Sequence, residues 1–144
     1  MAKIKKIVSN STKETIQFAK DLSKHLKKGS IVAFLGDLGS GKTTFIKGIV
    51  KALSETKNIN VTSPTFVYLN IYGVKIPIYH FDLYRIKDKD HFYEMGFEEY
   101  FSSSGICLIE WSENILDILP KDTIFIKMTH ITEQTREIEI TNAF

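Results

Sequence analysis

The 144-residue sequence contains one cysteine, Cys107, and two arginines, Arg85 and Arg136. A lone cysteine excludes an internal disulfide and a zinc site built from cysteines, so the reducing cytoplasm is the expected compartment. Arginine is the side chain suited to bidentate contacts with guanine and phosphate, and its scarcity argues against sequence-specific DNA binding. A net charge of +2 also argues against strong electrostatic binding of nucleic acid.

Long apolar runs, repeats and low-complexity segments are absent from the sequence as well. No uninterrupted apolar stretch approaches the roughly 20 residues of a membrane-spanning helix, and we expect no membrane association. No linker is long enough to divide the chain. The length is typical of one domain, and we therefore expect residues 1–144 to form a single domain.

The pattern of apolar residues predicts an α/β fold with a mixed β-sheet flanked by helices. Two short apolar runs, at 31–35 and 106–109, are typical of central strands that are buried on both faces. Helices are predicted from Ser11 to near Gly29, and over 42–53, 91–101 and 115–119. Further strands are predicted over 3–8, 66–72, 75–84, 123–128 and 136–141. We expect 66–72 to pair with 75–84 in a hairpin, and 123–128 to pair antiparallel with 136–141.

A glycine-rich segment from Gly36 to Thr43 matches the pattern G-x-x-x-x-G-K-[ST] and stands between a buried strand and a helix. Glycines allow the backbone to fold around an anion, and successive N–H groups at the helix start can bind phosphates. Lys42 supplies a positive charge to the β- and γ-phosphates, and the hydroxyl of Thr43 can bind Mg²⁺. No Asn-Lys-x-Asp motif is present, which favours ATP over GTP. The predicted cofactors are ATP and Mg²⁺.

Two acidic residues, Asp82 and Glu110, each end a predicted strand. Glu110 follows the more apolar run, and an acid in a buried position needs a counter-charge or a metal ion. We favour Glu110, with Thr43, as the Mg²⁺-binding acid and Asp82 as the residue that orients water or metal, although the sequence leaves this division open. His80, Asp82 and Tyr84 alternate along one strand face, which predicts that this face lines a cleft.

The segment 62–66 lies between the phosphate-loop helix and the next strand. In nucleotide switches a threonine in this place binds Mg²⁺ and meets the γ-phosphate. Thr65 is the candidate for that role, and a plain proline turn is the alternative. Trp111, the only tryptophan, is a candidate for contact with the nucleotide, and a core or interface position is its alternative.

Five motifs, in this order along the chain, resemble the TsaE family. They are Gly36-Asp37-Leu38-Gly39-Ser40-Gly41-Lys42-Thr43-Thr44, Ser63-Pro64-Thr65-Phe66, His80-Phe81-Asp82-Leu83-Tyr84-Arg85, Gly96-Phe97-Glu98-Glu99-Tyr100-Phe101 and Ile109-Glu110-Trp111. The resemblance covers residues 4–140. It implies a small P-loop domain with a central mixed sheet, and Mg²⁺-dependent ATP hydrolysis that is weak in the isolated protein.

The resemblance also implies partners and site residues. The partners would be the TsaB–TsaD pair, which modifies adenosine 37 of ANN-decoding tRNAs, so that tRNA is met only indirectly. An internal arginine finger would have to be Arg85, unless a partner supplies one. The candidate catalytic residues are Lys42, Thr65, Asp82 and Glu110, the candidate metal ligands are Thr43 and Glu110, and the candidate nucleotide-binding residues are Asp37, Leu38, Gly39, Ser40, Gly41, Lys42, Thr43, Thr44 and Trp111.

Three other functions compete with this interpretation. A small-molecule P-loop kinase shares the phosphate loop, but it usually needs an arginine-rich lid over its second substrate. A nucleotide-sensing module would bind ATP without hydrolysing it, and the two candidate acids argue mildly against this. An RNA-binding protein is disfavoured by the small net charge.

Overall fold

A computed structural model of the chain describes residues 3–36, 40–54, 59–62, 64, 67–73 and 75–142. Its strands are β1 (Ile4–Ser9), β2 (Ile31–Leu35), β3 (Leu69–Tyr72), β4 (Ile78–Asp82), β5 (Ile106–Glu110), β6 (Ile124–His130) and β7 (Arg136–Thr141). Its α-helices are α1 (Thr12–Ser23), α2 (Lys42–Leu53) and α3 (Lys89–Glu94), and two 3₁₀ helices span Phe97–Ser102 and Ser112–Ile118. Within these described ranges, no helix is long and apolar enough to cross a membrane.

The strands form one sheet of seven in the order β1-β7-β6-β2-β5-β4-β3. Strand β2 is parallel to both of its neighbours, and β4 is parallel to β5. The outer pairs β1–β7, β6–β7 and β3–β4 are antiparallel. The predicted mixed sheet is therefore confirmed, and the carboxyl ends of β2, β5 and β4 meet at one edge, where α/β proteins bind ligands.

Helices cover both faces of the sheet. On one face, α1 and α2 pack over β2 and β5 around a core that includes Phe34, Phe45, Ile49 and Leu108. On the other face, α3 and the two 3₁₀ helices enclose a second core rich in aromatic residues, with Phe81, Phe92, Phe97, Cys107 and Ile109. Because both faces are covered, β2 and β5 are apolar along nearly their whole length.

The start of α1 is fixed by the predicted cap, but its end is not where we expected. The Ser11 hydroxyl accepts the Glu14 N–H at 3.1 Å, and the Glu14 carboxylate accepts the Asn10 N–H. The helix ends at Ser23 rather than near Gly29, so the predicted length is wrong. The Ser23 hydroxyl donates to the carbonyl of Lys20, and the N–H groups of His25 and Leu26 bond three residues back, which tightens and ends the helix.

Three other predicted elements differ from the structure in length, division or type. The helix expected over 91–101 is wrong as one element, because Gly96 takes a left-handed conformation (φ 74°) that separates α3 from the 3₁₀ helix Phe97–Ser102. Strand β4 begins after Pro77, which has no N–H for the ladder. The helix expected over 115–119 is a 3₁₀ helix that starts earlier, at Ser112. The hairpin of β3 with β4, and the pairing of β6 with β7, are confirmed.

Candidate functional site

The phosphate loop joins the end of β2 to the start of α2, as predicted. Gly36 (φ 132°) and Gly41 (φ 101°) both have left-handed backbone conformations that other residues rarely adopt. A side chain at Gly36 would also collide with the carbonyl oxygen of Met128 on β6. Helix α2 begins directly after Gly41, which provides no side-chain cap, so its first N–H groups remain suited to an anion.

Two polar side chains of the loop are buried. Lys42 is 5% exposed; its Nζ donates to the carbonyl oxygen of Gly36 and lies 3.9 Å from the centre of the Trp111 ring. The Ser40 hydroxyl is buried and has no hydrogen-bond partner among the described residues. An unsatisfied buried hydroxyl is unfavourable, and an anion in the loop would give it a partner.

Glu110 lies beside the phosphate loop because β5 pairs directly with β2. Its carboxylate is buried, and Oε1 lies 3.5 Å from the hydroxyl of Thr43 at the start of α2. The other carboxylate oxygen, Oε2, lies 2.7 Å from Nε2 of His80. The structure thus places Thr43 and Glu110 together, as the sequence predicted.

Asp82 occupies the corresponding position on the next strand. It is the last residue of β4, is directly opposite Glu110 in the parallel register, and is 3% exposed. One of its carboxylate oxygens accepts the N–H of Tyr84 at 3.0 Å, which orients the carboxylate. Asp82 is therefore one strand further than Glu110 from the phosphate loop.

His80 does not line an open cleft, so that expectation is wrong. Its ring is fully buried, with Nδ1 3.0 Å from the hydroxyl of Tyr72 and Nε2 at Glu110. Burial raises the pKa of the Tyr72 hydroxyl above its usual value, and the Glu110 carboxylate raises it further. Tyr84 follows the end of β4 and is 62% exposed.

A cavity of about 360 Å³ adjoins the phosphate loop at Gly41 and Thr44. It is lined by the start of α1, the start of α2 and the turn between β6 and β7: Ser11, Thr12, Lys13, Thr15, Gly41, Thr44, Glu133, Gln134 and Arg136. Its volume falls within the roughly 300–1,000 Å³ of small-molecule sites. Thr44, a predicted nucleotide-binding residue, is therefore on its wall.

The position of Arg136 beside the start of α2 was not predicted from the sequence. Its Nη1 donates to the carbonyl oxygens of Thr132 and Glu133 at 2.8 and 3.2 Å, which fixes the side chain across the β6–β7 turn. A side chain added at Gly41 would come within 3.9 Å of its Nε. Arg85 instead lies over the ring of Tyr68, at 5.7 Å. Only the antiparallel return of β7 beside β6 reveals the location of Arg136, and no local motif indicates it.

Four predicted site residues lie outside the described residues. These are Asp37, Leu38 and Gly39 of the phosphate loop, and Thr65 of the segment 62–66. The other predicted residues are described: Lys42, Thr43, Glu110 and Trp111 lie together, Asp82 is beside Glu110, Ser40 and Gly41 lie in the loop, and Thr44 faces the adjoining cavity.

Comparisons with known proteins identify one family. Residues 9–138 match the family model described as Threonylcarbamoyl adenosine biosynthesis protein TsaE. The tRNA threonylcarbamoyladenosine biosynthesis protein TsaE of Rickettsia prowazekii is 44% identical over 128 residues, which are 88% of each chain. The protein of the same name from Treponema pallidum is 35% identical over 133 residues, which are 92% of this chain and 97% of the relative.

A solved structure is similar over the whole fold. The crystal structure of YdiB from Bacillus subtilis aligns with a TM-score of 0.80 at 32% sequence identity, covering 100% of this chain and 88% of that one. The predicted α/β fold is confirmed by this similarity and by the sheet itself.

Proposed function

Because the chain belongs to the TsaE family of threonylcarbamoyl adenosine biosynthesis proteins, we propose that it is a Mg²⁺-dependent ATPase of tRNA modification. Its proposed partner is the TsaB–TsaD complex, and we propose that it associates with tRNA only through that complex. The observation that carries the ATPase proposal is the 3.5 Å approach of Thr43 Oγ1 to Glu110 Oε1 beside the phosphate loop. P-loop enzymes bind Mg²⁺ with a hydroxyl at the start of the phosphate-loop helix and a nearby strand-end carboxylate.

The phosphates of ATP would bind the loop between β2 and α2. The uncapped start of α2 offers N–H groups, the unsatisfied Ser40 hydroxyl offers a further hydrogen bond, and Lys42 offers a charge. The adjoining cavity, with Thr44 on its wall, would hold the ribose and base. Arg136 fixes one side of this cavity and brings a positive charge near Gly41.

The residues present fit Mg²⁺. Neighbouring oxygen ligands of an octahedral Mg²⁺ lie about 3 Å apart, which is close to the 3.5 Å between Thr43 Oγ1 and Glu110 Oε1. When bound, the ion would neutralise charge on the phosphates. The remaining ligands would be phosphate oxygens and water, because Mg²⁺ in such sites is held by few protein groups.

The second acid would act on water. Asp82 is directly opposite Glu110 across the β4–β5 ladder, so its carboxylate is one strand further from the phosphate loop. Its hydrogen bond from the Tyr84 N–H holds it in one orientation. We assign to Asp82 the orientation of the attacking water, and to Thr65 a contact with the γ-phosphate, as in nucleotide switches.

The test is phosphate release from ATP with and without Mg²⁺, by this chain alone and with the TsaB–TsaD complex. We expect slow release alone, faster release with the complex, and loss of both in Glu110→Gln. Glutamine keeps the size of the buried side chain and removes its negative charge. Lys47→Gln, an exposed position on α2, is the matched control and should behave as the wild type.

Three results would contradict the proposal or one of its parts. ATP binding without phosphate release under any of these conditions would indicate a nucleotide-sensing module. Release of ADP that depends on an added small-molecule acceptor, and not on the complex, would indicate a kinase. Equal activity of Glu110→Gln and the wild type would remove the assigned role of this carboxylate.

A further inference from the structure

A chain of buried polar contacts leads away from the site through His80. Its Nε2 lies 2.7 Å from Glu110 Oε2, and its Nδ1 lies 3.0 Å from the Tyr72 hydroxyl. The rings of His80 and Tyr72 are also stacked, with centres 6.0 Å apart. His80 is completely buried and Tyr72 is 8% exposed, so water does not compete for these contacts.

The carboxylate fixes the direction of the hydrogen bond between His80 and Glu110. An ionised carboxylate has no proton to donate, so Nε2 of His80 is the donor to Glu110. In a neutral imidazole Nδ1 is then the acceptor, and the Tyr72 hydroxyl donates to it. Both ring nitrogens are therefore occupied, which sets the orientation of the ring and leaves neither nitrogen for proton transfer with a substrate.

We propose that His80 is a positioning residue that holds the Glu110 carboxylate in the orientation required to bind Mg²⁺. The hydrogen bond to Oε2 leaves Oε1 directed at the Thr43 hydroxyl. This inference rests on the proposed function, since it takes Glu110 to be the metal ligand. Residues that orient a ligand by hydrogen bonding contribute roughly 10- to 100-fold to metal affinity.

Strand β3 also contacts the backbone of the segment 62–66. Asn70 Nδ2 donates to the carbonyl oxygen of Thr62 at 3.1 Å. The Tyr72 hydroxyl lies 3.4 Å from the same oxygen, but its one proton is directed at His80 Nδ1. Asn70 and Tyr72 are alternate residues of β3 and lie on the same face of that strand. Strand β3 thus contacts His80 through Tyr72 and, through Asn70, the backbone three residues before Thr65.

The experiment measures the affinity of a fluorescent ADP analogue, first in EDTA and then across a range of Mg²⁺ concentrations. The Mg²⁺ midpoint is the Mg²⁺ concentration that gives half of the change in nucleotide affinity. His80→Phe keeps a ring but removes the donor, and we expect it to raise this midpoint about 10- to 100-fold. Its affinity in EDTA should be unchanged, because the phosphate loop is intact. Tyr79→Phe changes the opposite face of β4 and should match the wild type in both conditions.

A second substitution of His80 distinguishes a role in orienting Glu110 from a role in packing. Glutamine carries its amide nitrogen as many bonds from Cβ as Nε2 lies in histidine, so His80→Gln should restore most of the Mg²⁺ affinity. Tyr72→Phe removes only the hydroxyl and should give a smaller shift of the midpoint. A circular dichroism spectrum and a thermal unfolding curve for each variant establish that it is folded before nucleotide is added.

The outcomes distinguish this inference from the proposed function. If nucleotide affinity of the wild type does not depend on Mg²⁺, the proposed function fails. If it does depend on Mg²⁺ and Glu110→Gln abolishes that dependence, a wild-type midpoint in folded His80→Phe overturns the positioning role alone. If His80→Phe does not fold, a low Mg²⁺ affinity in folded His80→Gln, equal to that of Glu110→Gln, overturns it instead.

Discussion

The ammonium group of Lys42 lies 3.9 Å from the centre of the Trp111 ring. The two residues meet because β5 runs parallel to β2 and ends beside it, and Trp111 directly follows β5. Trp111 has a left-handed backbone conformation (φ 59°), which is unfavourable for a tryptophan and persists only where the surroundings hold it. The ring also meets Tyr84 edge-on at 5.0 Å. Trp111 thus shields the cation of the phosphate loop from water.

Replacing Lys42 by alanine should weaken the binding of ATP. Lysine bound to phosphates makes charge-assisted hydrogen bonds. Two such bonds at roughly 1.5 kcal/mol each correspond to a loss of about 100-fold in affinity. Isothermal titration calorimetry with ATP and Mg²⁺ measures this directly. Lys47→Ala, on an exposed turn of the same helix, removes an equal charge and should keep the wild-type affinity; an unchanged affinity in Lys42→Ala would contradict the phosphate-loop interpretation.

Replacing Asp82 by asparagine should separate hydrolysis from metal binding. The proposed role of Asp82 is to orient water, and loss of such a group lowers rates by about 10²- to 10⁴-fold. The Mg²⁺ midpoint for nucleotide binding should stay close to that of the wild type, because Glu110 and Thr43 are unaltered. Phosphate release and the Mg²⁺ titration are measured on the same protein. A raised Mg²⁺ midpoint in Asp82→Asn would instead make Asp82 a metal ligand.

Much of the central fold was predictable because local patterns there agree with tertiary structure. The strand Ile31–Leu35 and the helix Lys42–Leu53 have the predicted bounds, since an unbroken apolar run and a phosphate-loop motif both constrain the same few residues. The ends of peripheral elements were less predictable. The end of α1 depends on a serine hydroxyl, and the division of 91–101 depends on the left-handed conformation of Gly96.

The position of Glu110 was predictable because it is the one acidic residue at the end of its apolar strand. Glu110 follows the most apolar run after β2, and the structure places it beside Thr43. The contacts of His80 were not predictable, because they need the order of three strands, β3, β4 and β5, which no local pattern specifies. The alternation of side chains along β4 correctly predicted that His80 and Asp82 share one face. That face was expected to be open, but both side chains are buried.

Cys107 should resist alkylation in the folded protein. Burial raises the pKa of its thiol to about 12, and only the thiolate reacts readily. The raised pKa means that the folded state binds this proton more tightly than the unfolded state. The resulting contribution to stability is complete below about pH 9 and is lost as the pH rises towards 12.

Iodoacetamide at pH 8, followed by mass spectrometry, checks the expectation for Cys107. The native protein should remain unmodified, and the protein unfolded in urea should gain one label, because the sequence has one cysteine. Cys107→Ala is the control that should gain no label in either state. Rapid labelling of the native protein would show that β5 opens frequently.

Replacing Gly48 by alanine should destabilise the fold, although alanine is the better helix former. Gly48 lies within α2, and a Cβ there would be 2.6 Å from the Cβ of Ala19 on α1 and 3.3 Å from the carbonyl oxygen of Ile16. Overpacking costs about 1–3 kcal/mol, which exceeds the roughly 1 kcal/mol gained in helix propensity. Urea unfolding measures the loss. The same substitution should cost less in an Ala19→Gly background, and an equal cost in both backgrounds would contradict the close approach of α1 and α2.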